Sequence, residues 1–229
     1  MSECKLIIFD CDGTLMDTET IAAEVECEIL KGYGIEMEVK EFLLRFAGTS
    51  SGHVKSTLEE ESGRSFPDSH FKDVANAMNE AMWQRAKAVD GAHDMLDNLD
   101  QPRCICSNAG IEKLKIEMTR GELWDRFRPY VFSAKDIEGI SQKPAPDLFL
   151  HAAREFDVNP AECIVVEDSK AGVVGGTAAG MRVIGFTGAS HTYPGHADDL
   201  TEAGATTVVK SLRDVPAMIE AMSGWSEFV

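Results

Sequence analysis

The segment CKLIIFDCDGT, residues 4–14, decides how the rest of the chain is read. Leu6 to Phe9 form a short continuous apolar run, the mark of a strand buried on both faces of a parallel sheet. The run leads into Asp10 and Asp12, two carboxylates that repel each other, followed at once by Gly13 and Thr14. In open parallel sheets, ligands collect outside the carboxyl ends of the strands. The acidic pair is therefore predicted to mark a site rather than a solvated turn.

Outward from this strand the pattern changes. From about 16 to 88 the apolar residues recur at helical spacing and no strand is expected. Ile21, Val25 and Ile29 repeat every fourth residue, with Gly32 and Gly34 ending the pattern. Glu41–Phe46, His53–Glu61 and Phe71–Ala88 also read as helices. After Val89-Asp90-Gly91 strands and helices alternate: strands are expected at Arg103–Ser107, Tyr130–Ser133, Cys163–Val166, Arg182–Phe186 and Thr206–Val209. Helices are expected at Ala92–Leu99, Leu114–Met118 and Leu148–Phe156, in the Gly-rich stretch ending at Gly180, and at Val215–Met222. This alternation predicts an α/β fold, a doubly wound parallel sheet. The expected organisation is a core of residues 1–15 and 89–229 with an inserted helical cap, residues 16–88, hinged near Met16 and Val89.

The chain has 229 residues, with 22 basic and 39 acidic residues and a formal net charge of -17. That balance argues against nucleic acid, whose backbone is bound by basic faces, and against an anionic membrane surface. A small anionic substrate remains compatible if a cation or lysine supplies local positive charge. No stretch reads as a signal peptide or approaches the ~20 apolar residues of a membrane span. Six cysteines form no CxxC pair and three lie in predicted strands, which points to buried thiols in a reducing cytoplasm. A monomer is expected.

Polar residues terminate several of the predicted strands. Asp10-Cys11-Asp12 follows the first, Ser107-Asn108 ends the second and Glu167-Asp168 closes ECIVVED. Lys143 precedes Pro144-Ala145-Pro146 at a helix start. Four carboxylates at one sheet edge form an oxygen-rich, negative pocket suited to a hard cation. Mg²⁺ fits, since it takes one or two carboxylates with waters and a substrate phosphate. A carboxylate can then attack phosphorus to form an aspartyl-phosphate. A second acid nearby can protonate the leaving group and later activate water.

In order along the chain, Asp10-x-Asp12-Gly13-Thr14, Ser107 after an apolar run, Lys143 in QKPAPDLF and Glu167-Asp168 in VVEDSKAG match four motifs. They resemble those of the haloacid dehalogenase-like hydrolase superfamily, and the match covers nearly the whole chain. The wording of these segments looks most like the subgroup with a helical cap, containing β-phosphoglucomutase-like enzymes and sugar-phosphate phosphatases. The resemblance implies Asp10 as nucleophile and Asp12 as general acid/base, with its backbone carbonyl on Mg²⁺. It implies Asp10, Asp12, Glu167 and Asp168 as the metal set. Ser107 and Lys143 would hold the transferring phosphoryl group; Asn108, Gly13 and Thr14 would line the pocket.

Asp12 argues against dehalogenases, which lack that acid. Phosphonate-cleaving members carry a small residue there and an imine-forming cap lysine. The mutases place a cap histidine where this chain has Ala22, and an arginine near the segment where it has Gly48-Thr49-Ser50-Ser51. A phosphatase of small phosphorylated metabolites, sugar or sugar-acid phosphates, is therefore expected ahead of a mutase. A non-enzymatic phospho-aspartate switch ranks lower still, because Asp12 would shorten the life of the phospho-enzyme. Substrate choice is expected to rest on cap residues such as Thr49, Ser50, His53 and Lys55. His191 and His196, five apart in ASHTYPGHADD, read as part of a flexible polar loop. The glycines Gly172, Gly175 and Gly176 read as close helix-sheet packing.

Overall fold

A computed structural model describes residues 2–46, 49 and 51–224. Its centre is a six-stranded sheet: β1 (Leu6–Phe9), β2 (Arg103–Ser107), β3 (Val131–Ser133), β4 (Cys163–Glu167), β5 (Arg182–Phe186) and β6 (Thr207–Val209). The strand order is β3-β2-β1-β4-β5-β6, and every pairing is parallel. Chain order reverses between β1 and β4, which makes their carboxyl ends the switch point where such sheets bind ligands.

Alternating side chains of the strands feed two separate apolar layers, as the period of two requires. Ile7, Phe9, Ile105, Ile164, Val166 and Ile184 enter one layer. Leu6, Ile8, Cys104, Cys106, Val165 and Val183 enter the other. Helices cover both faces. α5 (Ala92–Asp97), α6 (Ile111–Arg120), α7 (Trp124–Phe127) and α11 (Val215–Gly224) contribute to the first layer. α8 (Asp147–Glu155), α9 (Lys170–Ala178) and α10 (His196–Glu202) contribute to the second.

Between β1 and α5 lie α1 (Glu19–Gly32), α2 (Val39–Phe46), α3 (Ser51–Ser62) and α4 (His70–Arg85). They own a third apolar cluster, with Ala23, Cys27, Leu30, Phe42, Phe46, Val54, Leu58 and Phe66 buried against one another. Ile21 and Met82 instead join the main core. The two connecting segments run side by side: Met16 bridges Ala88 in antiparallel sense, Asp17 N–H donates to the Lys87 carbonyl and Val89 N–H to the Leu15 carbonyl.

The sequence-derived strands recur within a residue or two. Two short helices, Trp124–Phe127 and His196–Glu202, were not legible in the sequence. The second replaces part of the polar loop expected around His196. All six cysteines are free and buried, and among the described residues no helix is long and apolar enough to cross a membrane.

Candidate active site

Sheet register gathers the predicted residues. Phe9 is level with Ile105 of β2 and Val166 of β4, so Asp10, Ser107 and Glu167 emerge at one edge. Asp10 N–H still donates to the Val166 carbonyl at 3.0 Å, which fixes the backbone of the first acid by the sheet itself. Asp10, Ser107, Lys143, Glu167 and Asp168 are all buried.

Lys143 arrives on the segment leading into α8. Asn108 holds that segment: its Oδ1 accepts the Lys143 N–H at 2.9 Å and its Nδ2 donates to the Lys143 carbonyl at 3.2 Å. The Lys143 ammonium then donates to Asp10 Oδ1 at 2.5 Å and to Glu167 Oε1 at 2.7 Å. Burial alone would lower the Lys143 pKa; the adjacent charges of Asp10 and Glu167 reverse this and raise it. For Asp10, burial dominates and raises the pKa well above the carboxylate range, Lys143 opposing and Glu167 and Asp168 adding to the rise. The other oxygen of Glu167 accepts the Ser169 N–H at 2.7 Å and the Ser169 hydroxyl at 2.9 Å. Gly172 makes room for this carboxylate, since a Cβ there would stand 1.7 Å from Glu167 Oε1.

Asp168 is pinned through both oxygens. Oδ1 accepts the Thr14 hydroxyl at 2.7 Å, and Oδ2 lies 2.9 Å from His191 Nε2. His196 Nε2 lies 2.7 Å from the Asp168 carbonyl, to which its N–H donates. Gly13, at φ 80°, passes so close that a Cβ would come within 2.3 Å of Asp168 and 2.9 Å of His191.

Asp12 is held apart from this group. Its Oδ1 accepts the Thr18 hydroxyl at 2.6 Å and an ammonium proton of Lys113. Lys113 also donates to Glu117 Oε2 at 2.7 Å, and Glu117 is fully buried. Burial works to raise the Asp12 pKa, but Lys113 and Thr18 outweigh it and hold the carboxyl below its usual value. Glu117, pushed up by burial first and by Asp12, rises to about 8.

The predicted set is thus mostly assembled, with some differences. Ser107 Oγ accepts the Ala109 N–H, and it is Asp136 that accepts the N–H of Ile111 at the start of α6. Both Glu167 oxygens are engaged by Lys143 and Ser169, a geometry for a charge partner of the lysine rather than a metal ligand. Thr49 is exposed, its hydroxyl donating to the Phe46 carbonyl at 2.8 Å; Ser50 lies outside the described residues. Lys55 pairs within its own helix with Glu59 at 2.6 Å. His191 and His196, expected in a flexible loop, are buried against Asp168. Their signal was the loop's position after β5, beside the switch point. Lys113 and Glu117 were missed too, because their spacing of four reads equally well as a solvent-side ion pair.

Whether a divalent cation fits can be judged from this donor set. Four carboxylates, Asp10, Asp12, Glu167 and Asp168, face two ammonium groups, Lys143 and Lys113, and burial first, then Glu167 and Asp168, raise Asp10 against the pull of Lys143. Among the described residues no three acidic, histidine or cysteine side chains converge as a closed cage. An open set of two carboxylates, Asp10 and Asp168, suits Mg²⁺, which keeps waters and takes a phosphate oxygen.

With this geometry established, comparison with known proteins defines the class. The model of the haloacid dehalogenase-like hydrolases matches residues 7–186, and the chain belongs to that family. It is 31% identical over 195 residues to the 6-phosphogluconate phosphatase of Escherichia coli K12, covering 85% of this chain and 87% of that one. It is 31% identical over 188 residues to a probable pseudouridine-5'-phosphatase of Drosophila melanogaster, covering 77% and 79%. A haloacid dehalogenase-like protein of unknown function from Agrobacterium tumefaciens superposes with a TM-score of 0.89 at 45% identity, over 96% of this chain and 99% of that one. A family hydrolase from Deinococcus radiodurans, solved with phosphate and sodium, gives 0.81 at 27% identity over 97% and 98%.

Proposed function

We propose that the chain is a Mg²⁺-dependent phosphatase of small phosphorylated metabolites, sugar or sugar-acid phosphates, working through an aspartyl-phosphate on Asp10. It is a phosphoric monoester hydrolase, the activity class that its relatives' names carry. The observation that carries the reading is the Lys143 ammonium, buried between Asp10 and Glu167 at the sheet's switch point. An anionic substrate needs such a cation in a chain this acidic.

Asp10 attacks phosphorus, and the bond to the leaving oxygen breaks in line. Lys143 keeps Asp10 ionised against the burial that raises its pKa and offsets charge on the phosphoryl oxygens. Asp12, whose ionised form Thr18 and Lys113 favour, takes up a proton from solvent as substrate binds and gives it to the leaving alkoxide; the carboxylate so regenerated then takes one from the water that attacks the phospho-enzyme. Ser107 and Asn108 line the phosphoryl side, with Asn108 fixing the Lys143 backbone. Asp10, Asp168 and the Asp12 carbonyl would hold Mg²⁺, whose charge lets a phosphate enter a negative pocket. The helices of residues 16–88 act as a cap on paired hinges near Met16 and Val89, excluding water when closed. Ala22, packed against the main core where a mutase carries histidine, disfavours transfer between sugar positions.

A panel of phosphorylated sugars, sugar acids and nucleotides tests this reading. Phosphate release from one metabolite class with Mg²⁺, lost with EDTA, is the expected result. Interconversion of a hexose phosphate on addition of a bisphosphate, with no release, would establish a mutase instead.

A further inference from the structure

The segment after β5, residues 188–196, is unusual in touching both the proposed metal site and the joint to the helical unit. His191 Nε2 lies 2.9 Å from Asp168 Oδ2, and the ring is buried. His196 Nε2–H binds the Asp168 carbonyl at 2.7 Å, and Tyr193 stacks on the His196 ring with centroids 4.6 Å apart and planes 14° apart. Tyr193 in turn donates its hydroxyl to Asp199 of α10 at 2.5 Å. One residue before His191, the Ser190 hydroxyl and N–H both donate to Asp17 Oδ1, at 2.6 and 3.0 Å. Asp17 itself donates its N–H to Lys87 on the second joint.

The two histidines do not form a metal pair of their own. Each turns Nε2 toward Asp168, their Nδ1 atoms have no hydrogen-bond partner, and the ring centroids stand 5.6 Å apart. A carboxylate has about four lone-pair positions. At Asp168 the Thr14 hydroxyl takes one on Oδ1 and His191 takes one on Oδ2, which fixes the carboxylate's rotation and leaves a position free on each oxygen.

We propose that His191 is the positioning residue of Asp168, holding that carboxylate in the orientation in which it binds the divalent cation. The inference rests on the metal-dependent reading above. Outer partners of ligating carboxylates typically matter by 10–100-fold in metal affinity. Ser190 and the stacked Tyr193–His196 pair hold the loop so that the imidazole N–H has one place to point. The loop also links Asp168 to Asp17 at the joint through His191 and Ser190.

Calorimetric titration of the chelator-stripped full chain with Mg²⁺ alone tests this, without recourse to turnover. Wild type is expected to bind, and His191→Ala to bind about 10–100-fold more weakly. His191→Gln, whose amide N–H has a similar reach, should recover most of the loss. His191→Leu keeps the volume without the donor and replaces Ala if that variant unfolds; circular dichroism checks folding throughout. Equal Mg²⁺ affinity in wild type and the Leu variant overturns this inference alone. Absence of Mg²⁺ binding by folded wild type overturns the metal-dependent reading, and this inference with it.

Discussion

Replacing Asp10 by Asn is expected to lower phosphate release by at least about 10⁴-fold while leaving the fold intact, since a lost nucleophile removes the covalent route. The amide matches the carboxylate in shape and is neutral, so the site loses one of its crowded negative charges. Burial, Glu167 and Asp168 all disfavour the ionised Asp10, and Lys143 retains Glu167 at 2.7 Å as its partner. Melting temperature should therefore stay within a few degrees of wild type while activity disappears. Activity within tenfold of wild type would remove Asp10 from the nucleophile's role.

The second large effect is expected at Lys143, on stability as well as rate. Lys143→Met leaves Asp10 and Glu167 buried with no cation between them. Loss of one partner of a buried pair costs about 3–5 kcal/mol. For a chain of this size that corresponds to a fall in Tm of about 6–20 °C. In the proposed role, where Lys143 faces the phosphoryl group, its loss costs a further factor of about 10²–10³ in rate.

The pH dependence follows from the sign of the Asp10 shift. Its folded pKa lies above its unfolded value, raised first by burial, and without Lys143 it rises further. A carboxylate shifted upward is best tolerated when protonated, below its unfolded pKa, and its penalty grows as pH rises through the folded value. The gap in Tm between wild type and variant, measured in EDTA, should be widest at pH 8 and narrow toward pH 5. An equal gap at every pH would mean that Lys143 stabilises through its ammonium over the Phe149 ring, 5.1 Å from the centroid, rather than through its pairing with Asp10.

Particular residues explain what the sequence made legible. The sheet was readable because Leu6–Phe9 and Cys163–Val166 are apolar without interruption, which only a strand covered on both faces requires. Asp10, Ser107 and Asp168 could be placed at the sheet edge because each ends or follows such a run, and Lys143 because it precedes Pro144-Ala145-Pro146 at a helix start. Lys113 was not, because its partner Asp12 stands 101 residues away and nothing local distinguishes it from a surface lysine. His191 and His196 were not, because a loop with glycine and proline has no periodicity. Their burial depends on a carboxylate and carbonyl 23 and 28 residues earlier. Glu167 was placed at the correct edge, but its role turns on the Ser169 and Lys143 contacts, which spacing does not encode. Thr49 and Lys55 were named for specificity as polar residues of the cap segment, a criterion that many surface residues meet.

The most direct test of the account is mass spectrometry of the protein acid-quenched during turnover of p-nitrophenyl phosphate with Mg²⁺, a substrate whose leaving group needs no proton, using Asp12→Asn to slow breakdown of the intermediate. The account predicts one added phosphoryl group, on the peptide containing Asp10, which is absent when Asp10 is also replaced by Asn. A competent enzyme that releases phosphate yet never carries a phosphoryl group on that peptide would contradict it.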